Sequence, residues 1–282
     1  MFYNYFIVAA DNEFINFMEL INSVNNQKIK ELVKLRKASE RRAKQLIIID
    51  GAREIELAVK SGIEILELFY CPSLIKKEKI EFFGIIPEKI TEVSEIVFLK
   101  ICYKENPDGY FALARPKNLS LEKIKLSKDP VVVILEAVEK PGNLGAIIRT
   151  AYAVGVDAII VNNNQTDIYN PNVIRASEGF IFKQQIIIAS FEKTVIWLKK
   201  NKIISYAAAT TGKNNYTEEK LLGPVAVILG SEADGLSEQW LKGADKLIKI
   251  PMKLGIDSLN VSVSAAVILY EILRQRSKKI KK

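Results

Sequence analysis

The chain has 282 residues, 49% of them hydrophobic and 26% charged, with a formal net charge of +8. That length suits two cores better than one, and no stretch approaches the roughly 18 uninterrupted apolar residues of a membrane span. Histidine is absent and Cys71 and Cys102 are the only cysteines, which excludes His-based triads and histidine metal centres; no metal is expected. Two thiols without an export signal fit a reducing cytoplasm.

Residues 1–20 read as an N-terminal extension, lacking the basic start of a secretory signal and meeting Asp11 and Glu13 early. Residues 27–44 hold no Gly or Pro, which predicts one helix. On it Lys30, Lys34, Lys37, Arg41 and Lys44 recur at spacings of four and three. They would line one face for roughly 20 Å. A solvated face is the ordinary meaning of such a stripe. The near absence of balancing acids turns the expectation toward the phosphates of a polyanionic partner.

An apolar run at 46–49 predicts a buried strand closed by Asp50-Gly51, followed by a helix over 54–60, a strand over 63–70 and a last strand over 109–114. Residues 76–104 show no clear period. Residues 21–115 are therefore expected to form a small α/β domain. The polar segment 116–130 reads as a linker.

From residue 131 the character changes. Val131-Val132-Val133-Ile134-Leu135 has the continuous apolarity of a strand buried on both faces. Expected next are a helix over 144–154, strands over 158–161 and 185–189, and a helix over 192–200. Strands over 203–208, 225–229 and 246–250 follow, then a helix over 261–275. This alternation predicts a mostly parallel sheet covered on both sides, filling residues 131–282.

Three segments fall where predicted strands end, the edge at which open α/β sheets collect ligands. In the first, from Glu136 to Ala151, a Pro-Gly turn leads to Asn143, a good helix N-cap, and Arg149 follows under two turns later. Gly145 permits close approach of a backbone or ligand. In the second, Gly230-Ser231-Glu232-Ala233-Asp234-Gly235-Leu236, a strand ends in glycine and a carboxylate follows. In the third, Ile250-Pro251-Met252 leads to Ser258-Leu259-Asn260 and a helix start rich in small residues. Each segment alone is also what an ordinary capped strand–helix joint looks like. No G-x-G-x-x-G fingerprint follows a strand, which counts against dinucleotide binding.

In this order and at these intervals, the three segments resemble the SpoU-type 2′-O-ribose RNA methyltransferases of the SPOUT superfamily. The match is to N-x-G-x-x-x-R-x-A at residues 143–151, G-x-E-x-x-G-L at 230–236 and I-P-M…S-L-N-V-S-V at 250–263. Residues 25–53 also resemble the substrate-binding domain of many such enzymes, with Asp50-Gly51 where a Glu-Gly pair is usual.

The resemblance implies an α/β fold with a deep trefoil knot despite the general rarity of knots, S-adenosylmethionine as cofactor, RNA as substrate and a homodimer. It implies transfer of a methyl group to a ribose 2′-hydroxyl, on ribosomal RNA in preference to transfer RNA. A catalytically silent RNA-binding relative and a transfer RNA enzyme are the alternatives. By motif position, Arg149 is the expected catalytic arginine, with Asn143, Asn260 and Ser258 positioning substrate and Glu232 bracing Arg149 or the knotted loops. Gly230, Ile250, Leu259, Thr210 and Met252 are the expected cofactor contacts. Ser262, Ser264, Ala265 and Ala266 are candidates for close helix approach in the dimer.

Overall fold

The computed structural model describes residues 20–76 and 80–280, the side chains of 278–280 excepted. The expectations for residues 1–19 and for the end of the basic tail lie outside the described residues. The chain divides into two compact units between Lys117 and Asn118.

In the first unit, the helix expected over 27–44 is two helices, α1 (Gln27–Lys34) and α2 (Ala38–Lys44). The cause is Arg41, which is 4% exposed. Its guanidinium donates to the carbonyls of Leu35 at 2.7 Å and Arg36 at 2.9 Å. It thereby satisfies oxygens that a helix end leaves without partners. The break takes Arg41 out of the expected stripe and divides the remaining lysines between two helices and their junction. Arg41 is structural, and Lys34 and Lys44 both bind Glu31. Hydrogen bonds from Lys34 and Lys44 hold the Glu31 carboxyl down at about 2. Lys30 and Lys37 remain exposed.

The strands of this unit are β1 (Leu20–Ile21), β2 (Ile47–Asp50), β3 (Ile65–Tyr70), β4 (Ile90–Val93) and β5 (Tyr110–Ala114), in the order β1-β4-β3-β5-β2. β1, β4 and β3 run parallel; β5 is antiparallel to β3 and β2. Helices α3 (Ala52–Lys60) and α4 (Glu95–Ile101) complete the unit. The region without a readable period thus holds β4 and α4. Ile29, Leu32 and Leu35 pack with Phe69, Val97, Phe98 and Phe111 in its core.

The second unit is built on seven strands: β6 (Val131–Glu136), β7 (Ala158–Asn162), β8 (Gln185–Ile188), β9 (Ile204–Ala208), β10 (Asn214–Asn215), β11 (Val225–Leu229) and β12 (Lys246–Lys249). Their order is β10-β12-β9-β11-β6-β7-β8, and every pair is parallel. β6, β7 and β11 are buried along their whole length, as continuous Val/Ile/Leu runs require in a sheet covered on both faces. The helices are α5 (Pro141–Val154), α6 (Pro171–Ala176), α7 (Phe191–Lys200), α8 (Glu238–Gly243) and α9 (Val261–Ile280). Among the described residues no helix is long and apolar enough to cross a membrane.

Most of the segment expected as a linker belongs to this second unit. Leu121 is buried, Leu119, Ile124 and Leu126 pack on the core, and the Leu121 carbonyl accepts the Trp197 indole N–H at 3.0 Å. Four apolar side chains at 119, 121, 124 and 126 give this polar-looking stretch its own hold on the sheet.

Candidate functional site

All three motifs meet at the carboxyl edge of the parallel sheet. α5 begins at Pro141 with Lys140 as its N-cap, so Asn143 sits within the first turn and does not cap it. Its side chain works across loops instead. Asn143 Nδ2 donates to Glu232 Oε1, and Asn143 Oδ1 accepts from Asn260 Nδ2 at 3.1 Å. Asn260 Oδ1 in turn accepts from the N–H of Ser262 at 2.9 Å, capping the start of α9. One residue from each motif thus joins a continuous hydrogen-bonded line.

Burial opposes the charge on Glu232. The hydrogen bonds from Asn143 and from the backbone N–H groups of Glu232, Glu139 and Lys140 outweigh it, and its carboxyl lies below the ordinary value. Glu232 is therefore an anion at neutral pH. Of the two expected bracing roles it takes the one on the loops, through Asn143 and the Glu139 N–H, and it does not touch Arg149, which pairs with Glu178 at 2.5 Å with its side chain 55% exposed.

Beside this line lies a cavity of about 450 Å³, within the range of about 300–1,000 Å³ typical of ligand sites. The ends of β9, β11 and β12 and the start of α9 form it. Thr210, Gly230, Ile250, Met252 and Leu259 all line it, as do Glu232 and Ser258; Asn143, Asn260 and Arg149 do not. Three acidic residues, Glu232, Asp234 and Asp257, are among its lining, and no lysine or arginine among the described residues lines it.

Gly230 serves the loop and not ligand clearance. A Cβ there would come within 2.2 Å of the Gly235 carbonyl, where the chain folds back with Ser231 and Gly235 exchanging backbone hydrogen bonds. At Gly145 the close neighbour is α6: an added Cβ would stand 2.5 Å from Ala176 Cβ.

Two site residues escaped the sequence reading. Glu136, buried at the end of β6, accepts from Ser237 N at 2.8 Å and Ser237 Oγ at 2.7 Å, anchoring the loop that carries Glu232. A carboxylate closing an otherwise apolar buried strand was the available signal. Glu178 had none, because the loop after α6 brings it to Arg149. The small residues of α9 also act within the chain: Ala265 is buried, Ser264 lines the cavity and Ser262 bonds Asn260.

An all-parallel sheet with its pocket built from three loops at the carboxyl edge places the second unit in the SPOUT class of α/β folds. Residues 130–270 match the SpoU rRNA methylase family, and residues 26–112 match the MRM3-like substrate binding domain. The chain belongs to the SpoU rRNA methylase family. It is 28% identical over 261 residues to the Bacillus subtilis 23S rRNA (guanosine(2553)-2′-O)-methyltransferase RlmP, covering 90% of this chain and 99% of that protein. A crystal structure of an RNA 2′-O ribose methyltransferase is 38% identical, with a TM-score of 0.77 over 92% of this chain and 99% of that one. An AdoMet-bound rRNA methyltransferase from Sinorhizobium meliloti is 26% identical, with a TM-score of 0.81 over 91% and 98%.

Proposed function

We propose that this chain transfers a methyl group from S-adenosylmethionine to a ribose 2′-hydroxyl of ribosomal RNA, in the cytoplasm and as a homodimer. The charge of the pocket carries this reading. Glu232, Asp234 and Asp257 line it without a cation among the described residues. A nucleoside triphosphate or dinucleotide would bring phosphates against those carboxylates. S-adenosylmethionine, with a sulfonium and an ammonium against a single carboxylate, is a net cation and fits them. Leu229, Ile250, Met252 and Leu259 supply apolar surface for the adenine, with backbone groups at Thr210 and Gly230 beside them.

When bound, the cofactor supplies an electrophilic methyl. Displacement of that methyl by the ribose 2′-oxygen would release S-adenosylhomocysteine and pass the hydroxyl proton to water. The protein aligns the oxygen for this step. Asn143, fixed by Glu232, and Asn260, bonded to Asn143, position the substrate beside the pocket, whose lining includes Ser258. Arg149 does not deprotonate and is no free base. Held by Glu178 but still exposed, it orients the target phosphate and polarises the hydroxyl. Exposed Leu254, Ile256, Val263 and Tyr270 are the apolar surface a second copy would cover.

The test is transfer from tritiated S-adenosylmethionine to ribosomal and transfer RNA, followed by nuclease digestion and mass spectrometry. Label at a ribose of ribosomal RNA is expected; label on a base, or none, overturns the proposal.

A further inference from the structure

A second cavity of about 450 Å³ opens at the opposite edge of the sheet, where β9 and β12 begin. β9 has five residues, so this cavity lies roughly 17 Å along the sheet from the first. Val195, Leu198, Ile203 and Ile204 wall it and Trp240 lies beneath. Its rim carries Lys199, Lys202, Lys246 and Asp245.

These charges are not equivalent. Asp245 accepts from Ser205 N and Oγ at 2.8 and 2.6 Å, and Lys246 is held by Glu219 at 2.6 Å. Lys199 and Lys202 have no ion pair among the described residues, and both are exposed. Three carbonyls at the end of α7 are already satisfied by the chain itself. Asn201, Lys202 and Ile203 donate back to Trp197, Lys199 and Leu198. Ile204, an apolar residue 45% exposed at the head of its strand, borders the opening. The indole Nε1 of Trp240 is buried without an acceptor among the described residues.

An apolar slot with two uncommitted cations at its lip is complementary to an anion carrying a flat, weakly polar body. We propose that this cavity takes one unpaired nucleotide of the RNA substrate, the base entering the slot and its phosphate meeting Lys199 and Lys202. The inference rests on the RNA reading above, and it assigns the basal edge of the methyltransferase unit a part in holding substrate. Unpaired bases bind protein through apolar and aromatic surface while lysines take the adjoining phosphates.

The test compares K199E/K202E with K193E/K200E, which makes the same change of net charge at two α7 lysines that do not line the cavity. Uridine 5′-monophosphate and inorganic phosphate are titrated calorimetrically against each, and RNA binding is measured from low to high salt. Wild type and K193E/K200E should bind the nucleotide more tightly than phosphate, and K199E/K202E should lose it. For the RNA, K199E/K202E should raise KM roughly tenfold at unchanged kcat and unchanged cofactor affinity. Its salt slope should fall by about 1.4, the release expected for two single-strand phosphate contacts. Equal losses in both variants, equal affinity for phosphate and nucleotide, or an unchanged RNA KM would each overturn the proposal. If wild type methylates no RNA, the proposed function fails, while the nucleotide titration still decides this site.

Discussion

Arg149 is held by Glu178 and not by Glu232, although Glu232 stands in the motif that usually accompanies the arginine. The two motif charges therefore serve separate ends of the site. Arg149→Ala should lower methyl transfer by about 100-fold or more while S-adenosylmethionine affinity stays within a few fold. Glu178→Gln, which frees the guanidinium without removing it, should cost far less turnover. Near-normal turnover in Arg149→Ala would remove the arginine from the chemistry.

The line from Glu232 through Asn143 to Asn260 has a pH signature. A carboxyl held below its ordinary 4.5 stabilises the fold above that pH, and the contribution is lost as pH falls through the folded value. Wild type should accordingly unfold at a higher urea concentration than Glu232→Gln at pH 7, with the two midpoints converging in acid. A constant gap from pH 7 to pH 3 would contradict the assignment.

Gly230→Ala should fail as a fold and not as a cofactor site. Its Cβ meets the backbone of Gly235, which cannot swing aside as a side chain does. Overpacking of this kind costs about 1–3 kcal/mol. A lowered melting temperature without cofactor checks this. Met252→Ala, changing the pocket lining alone, should weaken cofactor binding at an unchanged melt.

Arg41→Ala and Lys30→Gln/Lys37→Gln should separate stability from RNA contact. The first strands two carbonyls, at about 1–3 kcal/mol for an unsatisfied buried group, and should lower the melting temperature. The second removes two exposed cations and should flatten the salt dependence of RNA binding, leaving the melt unchanged. An unchanged slope returns Lys30 and Lys37 to the status of solvated charges.

Sedimentation should give a species of twice 31.7 kDa. Leu254→Glu/Ile256→Glu should shift it toward the monomer. A wild-type monomer at micromolar concentration, with cofactor present, overturns the dimer.

The order of strands and helices in the second unit was written in local pattern. Runs such as Val131–Leu135 and Val225–Leu229 suit a sheet covered on both faces, and the three motifs mark where those strands end. The resemblance to SpoU enzymes, and not local pattern, named Thr210, Gly230, Ile250, Met252 and Leu259 as cofactor contacts; they line one cavity because the carboxyl edge of a parallel sheet gathers its loops. What local pattern could not contain is the identity of partners distant along the chain. Arg41 read as a surface cation because nothing local shows that the carbonyls of Leu35 and Arg36 lack partners. The linker read as solvent because Leu121 finds Trp197 only across 76 residues. Glu178 meets Arg149, and Glu136 meets Ser237, for the same reason. Periodicity reports which face of an element is buried, whereas the pairing of single polar groups depends on how elements pack, and only the tertiary structure decides that.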